Sequence, residues 1–245
     1  MRTWMQHLLR DYKSNMTKNN CLLSIDMLQK RSALKRYKGI ITMPLEIIGH
    51  PRSNFVRTVR MVAHEKGVAY EHIPEMPHSD VIKSLHPMGQ IPAMRHNGLE
   101  LFESMAIARY IDTVYEGPKM VPSDPAEAGK IIQWASFAQT TVDRLVIRQY
   151  VVQHMFNKDE KGNVIRDEIE KAIRGFPKVF GILNNAVSSG CYGSDAFTIA
   201  DCFLLPMLNS AQRYPEGKEA IKNSENLKKY FDTHSERPSY TATAP

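Results

Sequence analysis

Gly49-His50-Pro51-Arg52-Ser53-Asn54-Phe55-Val56-Arg57-Thr58-Val59-Arg60 follows the apolar run Leu45-Glu46-Ile47-Ile48. The run reads as a short strand, Gly-His-Pro as a turn, and Val56, Val59, Met61, Val62 and Ala63 as the apolar face of a helix. Ser53 stands just before that periodicity begins, at the N-cap. There a hydroxyl lies beside unpaired backbone N–H groups and the positive end of the helix dipole, a setting that suits an anion as small as a thiolate. A serine cap is also the commonest way to start a helix, so the rest of the chain must decide between the two roles.

Working outward, residues 44–115 alternate strand and helix. Strand 45–49 leads to helix 53–66, which Gly67 ends, and Val68–Ile73 alternates as a second strand. Ser79–Leu85 reads as a short helix. Ile91–Arg95 and Leu99–Phe102 flank His96-Asn97-Gly98, a hairpin with the Asn-Gly turn signal, and Glu103–Tyr115 is a further helix. The order β-α-β-α-β-β-α is a small α/β unit with a mixed sheet. Glu116–Glu127, with three prolines, reads as a linker, and everything beyond it as helix. One apolar face runs from Ile131 to Val146 and another from Ile165 to Leu183, bent at Gly175-Phe176-Pro177. Asp159–Asn163 is a polar loop. Ile199–Ala211 is apolar enough to be central and buried, and Leu227, Tyr230 and Phe231 anchor a last short helix.

Composition narrows the function classes. Of the 245 residues, 42% are hydrophobic and 24% charged, ordinary for a globular protein, and no apolar run approaches the ~20 residues of a membrane span. The formal charge is +6, but residues 1–42 hold nine Lys/Arg against two Asp/Glu, so the remainder is nearly neutral. A basic extension and a neutral body do not make a nucleic-acid-binding fold. The extension fits upstream sequence, a targeting segment or a binding tail, and Met43 directly before the first strand could start a complete protein. Cys21, Cys191 and Cys202 lack CxxC spacing, which suits a reducing, cytoplasmic compartment. Six histidines between His50 and His96 show no HxxxH or HExxH spacing, so no metal is expected. No GxSxG elbow surrounds Ser53, which argues against a hydrolase nucleophile.

Three further segments carry possible chemistry. Pro87-Met88-Gly89-Gln90-Ile91-Pro92 suits a tight turn with a cis bond before Pro92, exposing Ile91 N–H and C=O to pair with a peptide ligand. Phe102-Glu103-Ser104 opens a helix: Ser104 with the helix N–H groups suits a carboxylate, and Glu103 an ammonium. Thr198-Ile199-Ala200-Asp201 is a capping box that starts a buried helix.

Taken in order, GHPRSNFVRTVRMVAHEKGV (49–68), HPMGQIPAM (86–94), LFESMAIARYID (101–112) and FTIADCFLLPML (197–208) resemble the cytosolic glutathione S-transferase family, and the GHPxS opening and TIAD box its serine-type, phi-like branch. The resemblance spans about Pro44 to Pro238. It implies an α/β thioredoxin-like N-terminal domain (43–118), a helical C-terminal domain (126–245), a homodimer, and a detoxifying, cytoplasmic role. It implies glutathione as co-substrate: Ser53 would stabilise its thiolate, Ile91 with Pro92 would pair with its cysteine, and Glu103, Ser104 and Gln90 would hold its γ-glutamyl end. His78 would hold its glycyl carboxylate. The acceptor would be a small hydrophobic electrophile, shaped by a region containing Trp134, Phe137, Arg148, Tyr150 and Phe156. Peroxidase action on organic hydroperoxides and a non-catalytic assembly module are the alternatives. His86 replaces the Asn usual before Pro87, which the resemblance treats as a changed capping group. No cysteine lies near Ser53, and the Ser-Ser-Cys opening of the maleylacetoacetate isomerase branch is absent. Arg57 and Arg60 could either add positive field near Ser53 or line a solvated helix face.

Overall fold

A computed structural model describes residues 44–194 and 196–245; the basic extension of residues 1–42 lies outside them. The first half holds β1 (Leu45–Ile48), α1 (Asn54–Glu65), β2 (Tyr70–Ile73), α2 (Asp80–Leu85), β3 (Ala93–His96), β4 (Leu99–Phe102) and α3 (Ser104–Val114). The strands form one sheet in the order β2-β1-β3-β4, with β1 parallel to β2 and antiparallel to β3. Strand alternation puts Ile47 and Met94 against α1 and α3, and Ile48 and Ala93 against Ile82 and Leu85 of α2.

Local chemistry sets the element ends. Helix α1 closes in a Schellman motif, with Gly67 N–H donating to His64 O and Val68 N–H to Ala63 O. That bond commits Val68 to the helix terminus, which is why β2 starts at Tyr70 and not at Val68. Asn97 and Gly98 have φ of 49° and 80°, the pair of positive values a two-residue hairpin turn requires. The Ile91–Pro92 bond is cis, and β3 pairing begins two residues later, at Ile48↔Ala93.

The second half is helical: α4 (Pro125–Phe137), a π-helical stretch (Ala138–Val151), α5 (Val152–Phe156), α6 (Asp167–Ser188), α7 (Ile199–Ala211), α8 (Pro215–Lys222), α9 (Glu225–His234) and α10 (Pro238–Ala242). The expected linker is shorter than Glu116–Glu127, because Asp124 caps the N–H groups of Ala126 and Glu127 and Pro125 occupies the first helical turn. Helix α9 is not the last, since α10 follows it, and α8 was also unanticipated. Both have a proline in the first turn but too few apolar residues to show a period. Helix α7 is the centre, as expected, with all but Asn209 buried.

Asp201 anchors that helix. Its carboxylate accepts from Thr198 N–H and Oγ1–H, from Gly193 N–H at 2.7 Å and from Tyr230 O–H at 3.0 Å. Full burial pushes this carboxyl up from its ordinary range, and those four donors pull against it.

Helices α1 and α7 cross in contact: Thr58 Oγ1–H donates to Cys202 O at 2.9 Å, and Phe55 meets Phe203 edge-on. Neither reading of Arg57 and Arg60 holds for Arg57. It is 3% exposed, donates to Tyr240 O at 2.9 Å and lies over the Tyr240 ring at 4.0 Å, strapping α10 to the helix that carries Ser53. Arg60 donates to Tyr70 O–H at 3.1 Å.

Arg237 adds a second strap, donating through Nε and NH2 to Glu65 at 3.0 and 2.8 Å. Burial works to raise the Glu65 pKa, but the Arg237 and Ser239 hydrogen bonds outweigh it and the net shift is downward from 4.5. A carboxyl with a lowered folded pKa stabilises fully above its unfolded value and loses that contribution as pH falls through the folded one. Arg237→Ala is therefore expected to cost about 1–2 kcal/mol at neutral pH. The gap from the parent should narrow in denaturant titrations repeated at pH values below about 4.5. A gap independent of pH would sink this account.

Candidate active site

Every residue singled out for the site, Ser53, His78, Gln90, Ile91, Pro92, Glu103 and Ser104, lines one open cavity of about 920 Å³. They arrive from separate segments: Ser53 from the β1–α1 turn, Gln90, Ile91 and Pro92 from the α2–β3 connection, Glu103 and Ser104 from the start of α3, and His78 from the β2–α2 connection. Close packing brings the β1–α1 turn and the α2–β3 connection together. A Cβ on Gly49 would stand 2.6 Å from Val56 Cγ2 and 3.0 Å from Ile91 Cβ, so only glycine lets the α1 N-terminus approach Ile91.

Ser53 is the N-cap of α1, as expected. Its Oγ accepts from Val56 N–H at 3.4 Å, a long bond, and its O–H hydrogen donates to no other described residue. No acidic residue sits in the first turn of α1, so the positive helix end is uncancelled there. The arrangement provides one hydroxyl donor and free helix N–H groups on the cavity wall.

Glu103 has φ 69° and ψ 114°, a strained backbone for a residue with a side chain, and that side chain is 63% exposed. Ser104 beside it is buried, its Oγ accepting from Gln139 Nε2 at 3.1 Å and its own hydrogen left to donate. His78 is exposed with φ 64°, and its N–H donates to Gly89 O at 2.8 Å, which ties it to the α2–β3 connection.

The opposite wall runs along the second half, with one stripe of residues beside Thr140, Arg148, Val152 and Phe156. Gln139, Asp143, Ile147, Val151 and Met155 recur at steps of four, each reaching the cavity. The first four members of the stripe lie in the π-helical stretch, whose i→i+5 bonding has more residues per turn than an α-helix and so suits a step of four, and Met155 follows in α5. Of the five residues named for this region only Arg148 and Phe156 line the cavity. Trp134 packs edge-on to Phe137 and Tyr192, and Tyr150 is buried with its O–H donating to Glu216 at 2.9 Å. The stripe is visible in the sequence only when a step of four is sought alongside 3.6. Arg148 Nε donates to Asp143 at 3.0 Å, and burial pushes the Asp143 carboxyl up against that partner. Ile147, Val151, Val152, Met155 and Phe156 supply apolar surface, with Phe156 73% exposed at the rim. Among the described residues no cluster of three or more His, Cys, Asp or Glu side chains forms a metal site, and no helix is long and apolar enough to cross a membrane.

A thioredoxin-like half joined to a helical half, with a cleft lined from both, is the glutathione transferase architecture. Residues 47–119 match the family model "Glutathione S-transferase, N-terminal domain", and residues 146–238 match "Glutathione S-transferase, C-terminal domain". The chain belongs to the glutathione S-transferase family, whose enzymes use glutathione as co-substrate. It is 26% identical to glutathione S-transferase Z2 of Arabidopsis thaliana over 82% of this chain and 91% of that protein. It is 29% identical to glutathione S-transferase 3 of Zea mays over 82% and 93%. The crystal structure of poplar glutathione transferase F1 superposes with a TM-score of 0.73 at 24% identity, covering 82% of this chain and 96% of that one.

Proposed function

We propose that this protein is a serine-type, phi-like glutathione transferase that conjugates glutathione to small hydrophobic electrophiles. The observation that carries the reading is the convergence of Ser53, Ile91 and the Glu103–Ser104 pair on one cavity, each supplying a different part of a tripeptide site. Ser53 O–H donates to the glutathione sulfur, and the α1 N-terminus adds its positive end. Both lower the thiol pKa, and helix N-termini bring cysteine from ~8.5 into the range ~3.5–7.5. The thiolate then attacks an electrophilic carbon held against Ile147, Val151, Val152 and Met155, and the leaving group departs with its electron pair.

Ile91 N–H and C=O pair with the glutathione cysteine as an added strand. Glu103 takes the γ-glutamyl ammonium, Ser104 its carboxylate, and Gln90 reaches the same end. His78 holds the glycyl carboxylate. The same reading makes the protein cytoplasmic and homodimeric. Exposed Met88 and Phe102 beside the first half of the site are apolar surface that a second copy would cover.

Retention on immobilised glutathione, followed by turnover of a chlorodinitrobenzene-type acceptor, tests the reading. Binding with turnover supports it, and no binding at all removes ligand and mechanism together. Glu103→Ala is expected to raise KM for glutathione about tenfold while leaving kcat within about twofold, because a charge-assisted contact to the head group acts in ground and transition state alike. A loss confined to kcat would place Glu103 elsewhere in the mechanism.

A further inference from the structure

His86 stands immediately before Pro87 and is 5% exposed. Its Nδ1 accepts from Met88 N–H at 3.0 Å, which fixes the tautomer of a neutral ring: the hydrogen is on Nε2. Nε2 faces Glu103 Oε1 at 3.9 Å, and the ring packs on Phe102 with centroids 4.8 Å apart. The ring is thus held on two sides, by a backbone bond and by an aromatic neighbour, and its protonated nitrogen stands 3.9 Å from a carboxylate oxygen, just beyond hydrogen-bond length. Glu103 has no comparable support of its own. It caps α3 without a side-chain hydrogen bond, and its carboxylate extends from a strained backbone into an exposed position. An unsupported glutamate must give up rotamer freedom when it takes a ligand cation.

We propose that His86 is a positioning residue, whose Nε2–H, 3.9 Å from Glu103 Oε1, closes to a hydrogen bond on that carboxylate when it meets the α-ammonium group of the bound peptide's γ-glutamyl end. The proposal rests on the glutathione reading and adds a residue to it. His86 therefore has two separable roles: Nδ1 closes the turn at Met88, and Nε2 reaches across to α3. The substitution of histidine for asparagine before Pro87 changes more than a capping group, because asparagine can supply only the first role. Its amide oxygen can take the Met88 N–H, but the side chain ends short of Glu103. Glutamine has the opposite property, placing an amide N–H near the position of Nε2.

The two variants give the test. KM and kcat are measured for the parent, His86→Asn and His86→Gln with glutathione and with its deaminated analogue, glutaryl-cysteinylglycine. Thermal melts confirm that each variant is folded. The parent is expected to favour glutathione, since the analogue lacks the ammonium. His86→Asn should raise KM for glutathione about 3–5-fold, leave kcat unchanged and leave KM for the analogue unchanged, so that the preference shrinks. His86→Gln should keep the preference. A residue that merely closes the turn gives the reverse order, with asparagine harmless and glutamine damaging. That order, or an equal rise in KM for both thiols, overturns the proposal. A parent enzyme that binds glutathione and its analogue equally well overturns it by a different route, because the ammonium contact at Glu103 is then absent. Failure to bind either thiol would instead remove the glutathione reading itself.

Discussion

Ser53→Ala is expected to cut turnover with glutathione about 10–100-fold at neutral pH, the rate equivalent of the ~1.5–3 kcal/mol that a hydrogen bond to a charged group contributes. The variant keeps the α1 N-terminus and loses the hydroxyl, so the bound thiol should titrate about one to two pH units higher. Activity should accordingly recover as pH rises, and the ultraviolet absorbance of the bound thiolate should follow the same displaced curve. Ser53 also caps Val56 N–H, but at 3.4 Å. The capping loss is therefore at the low end of the usual range, about 0.5 kcal/mol. Ser53→Gly separates the effects, because glycine is a tolerable cap with no hydroxyl. Equal losses of turnover in the alanine and glycine variants assign the effect to the hydroxyl, and Ser53→Thr should retain most of it. Full turnover in both would reduce Ser53 to an ordinary cap.

Asp112→Ala should destabilise the fold by about 3–5 kcal/mol, the cost of leaving a buried charge without its partner. For a body of this size that corresponds to a fall in Tm of roughly 6–20 °C. Asp112 lies on α3 and is 2% exposed. It accepts from Met120 N–H at 2.9 Å, Val121 N–H and Arg109, and its Oδ1 is 3.4 Å from Lys66 Nζ. One carboxylate thus ties the end of α1, the body of α3 and the chain as it enters the helical half. Lys66 has a fully buried side chain, and its other partner is Pro118 O at 3.0 Å. Lys66→Met in the Asp112→Ala background should recover part of the loss, because it removes the stranded ammonium. Additive losses in calorimetry would show that the two residues do not depend on each other.

Much of the first half was legible because its signals are local. The turn at Asn97-Gly98, the closure at Gly67 and the cap at Ser53 each depend on a few neighbouring residues. The same is true of the Thr198–Asp201 box, whose reciprocal bonds are three residues apart. Asp112 was missed because nothing local distinguishes it: an aspartate beside Ile111 reads as the polar edge of a helix. Its partners lie 46 residues away at Lys66 and across a loop at Met120. The pocket wall was only partly legible, since the apolar period from Ile131 to Val146 marks the face turned to the core. The face turned to the cavity mixes Gln139 and Asp143 with Ile147 and Val151, and has no single polarity to follow.

The sequence by itself determined the two-part architecture and, apart from α8 and α10, the order of strands and helices. Those depend on hydrophobic period, turn chemistry and caps, which act over a few residues. Tertiary structure alone decided that Arg57, four residues from Ser53, turns away to grip Tyr240, 183 residues further on. It alone set the cavity face of the π-helical stretch and brought His86 within reach of Glu103. Each of those outcomes depends on where distant backbone segments come to rest. Side-chain partners are chosen by packing after the local elements exist, and no spacing within a single segment records that choice.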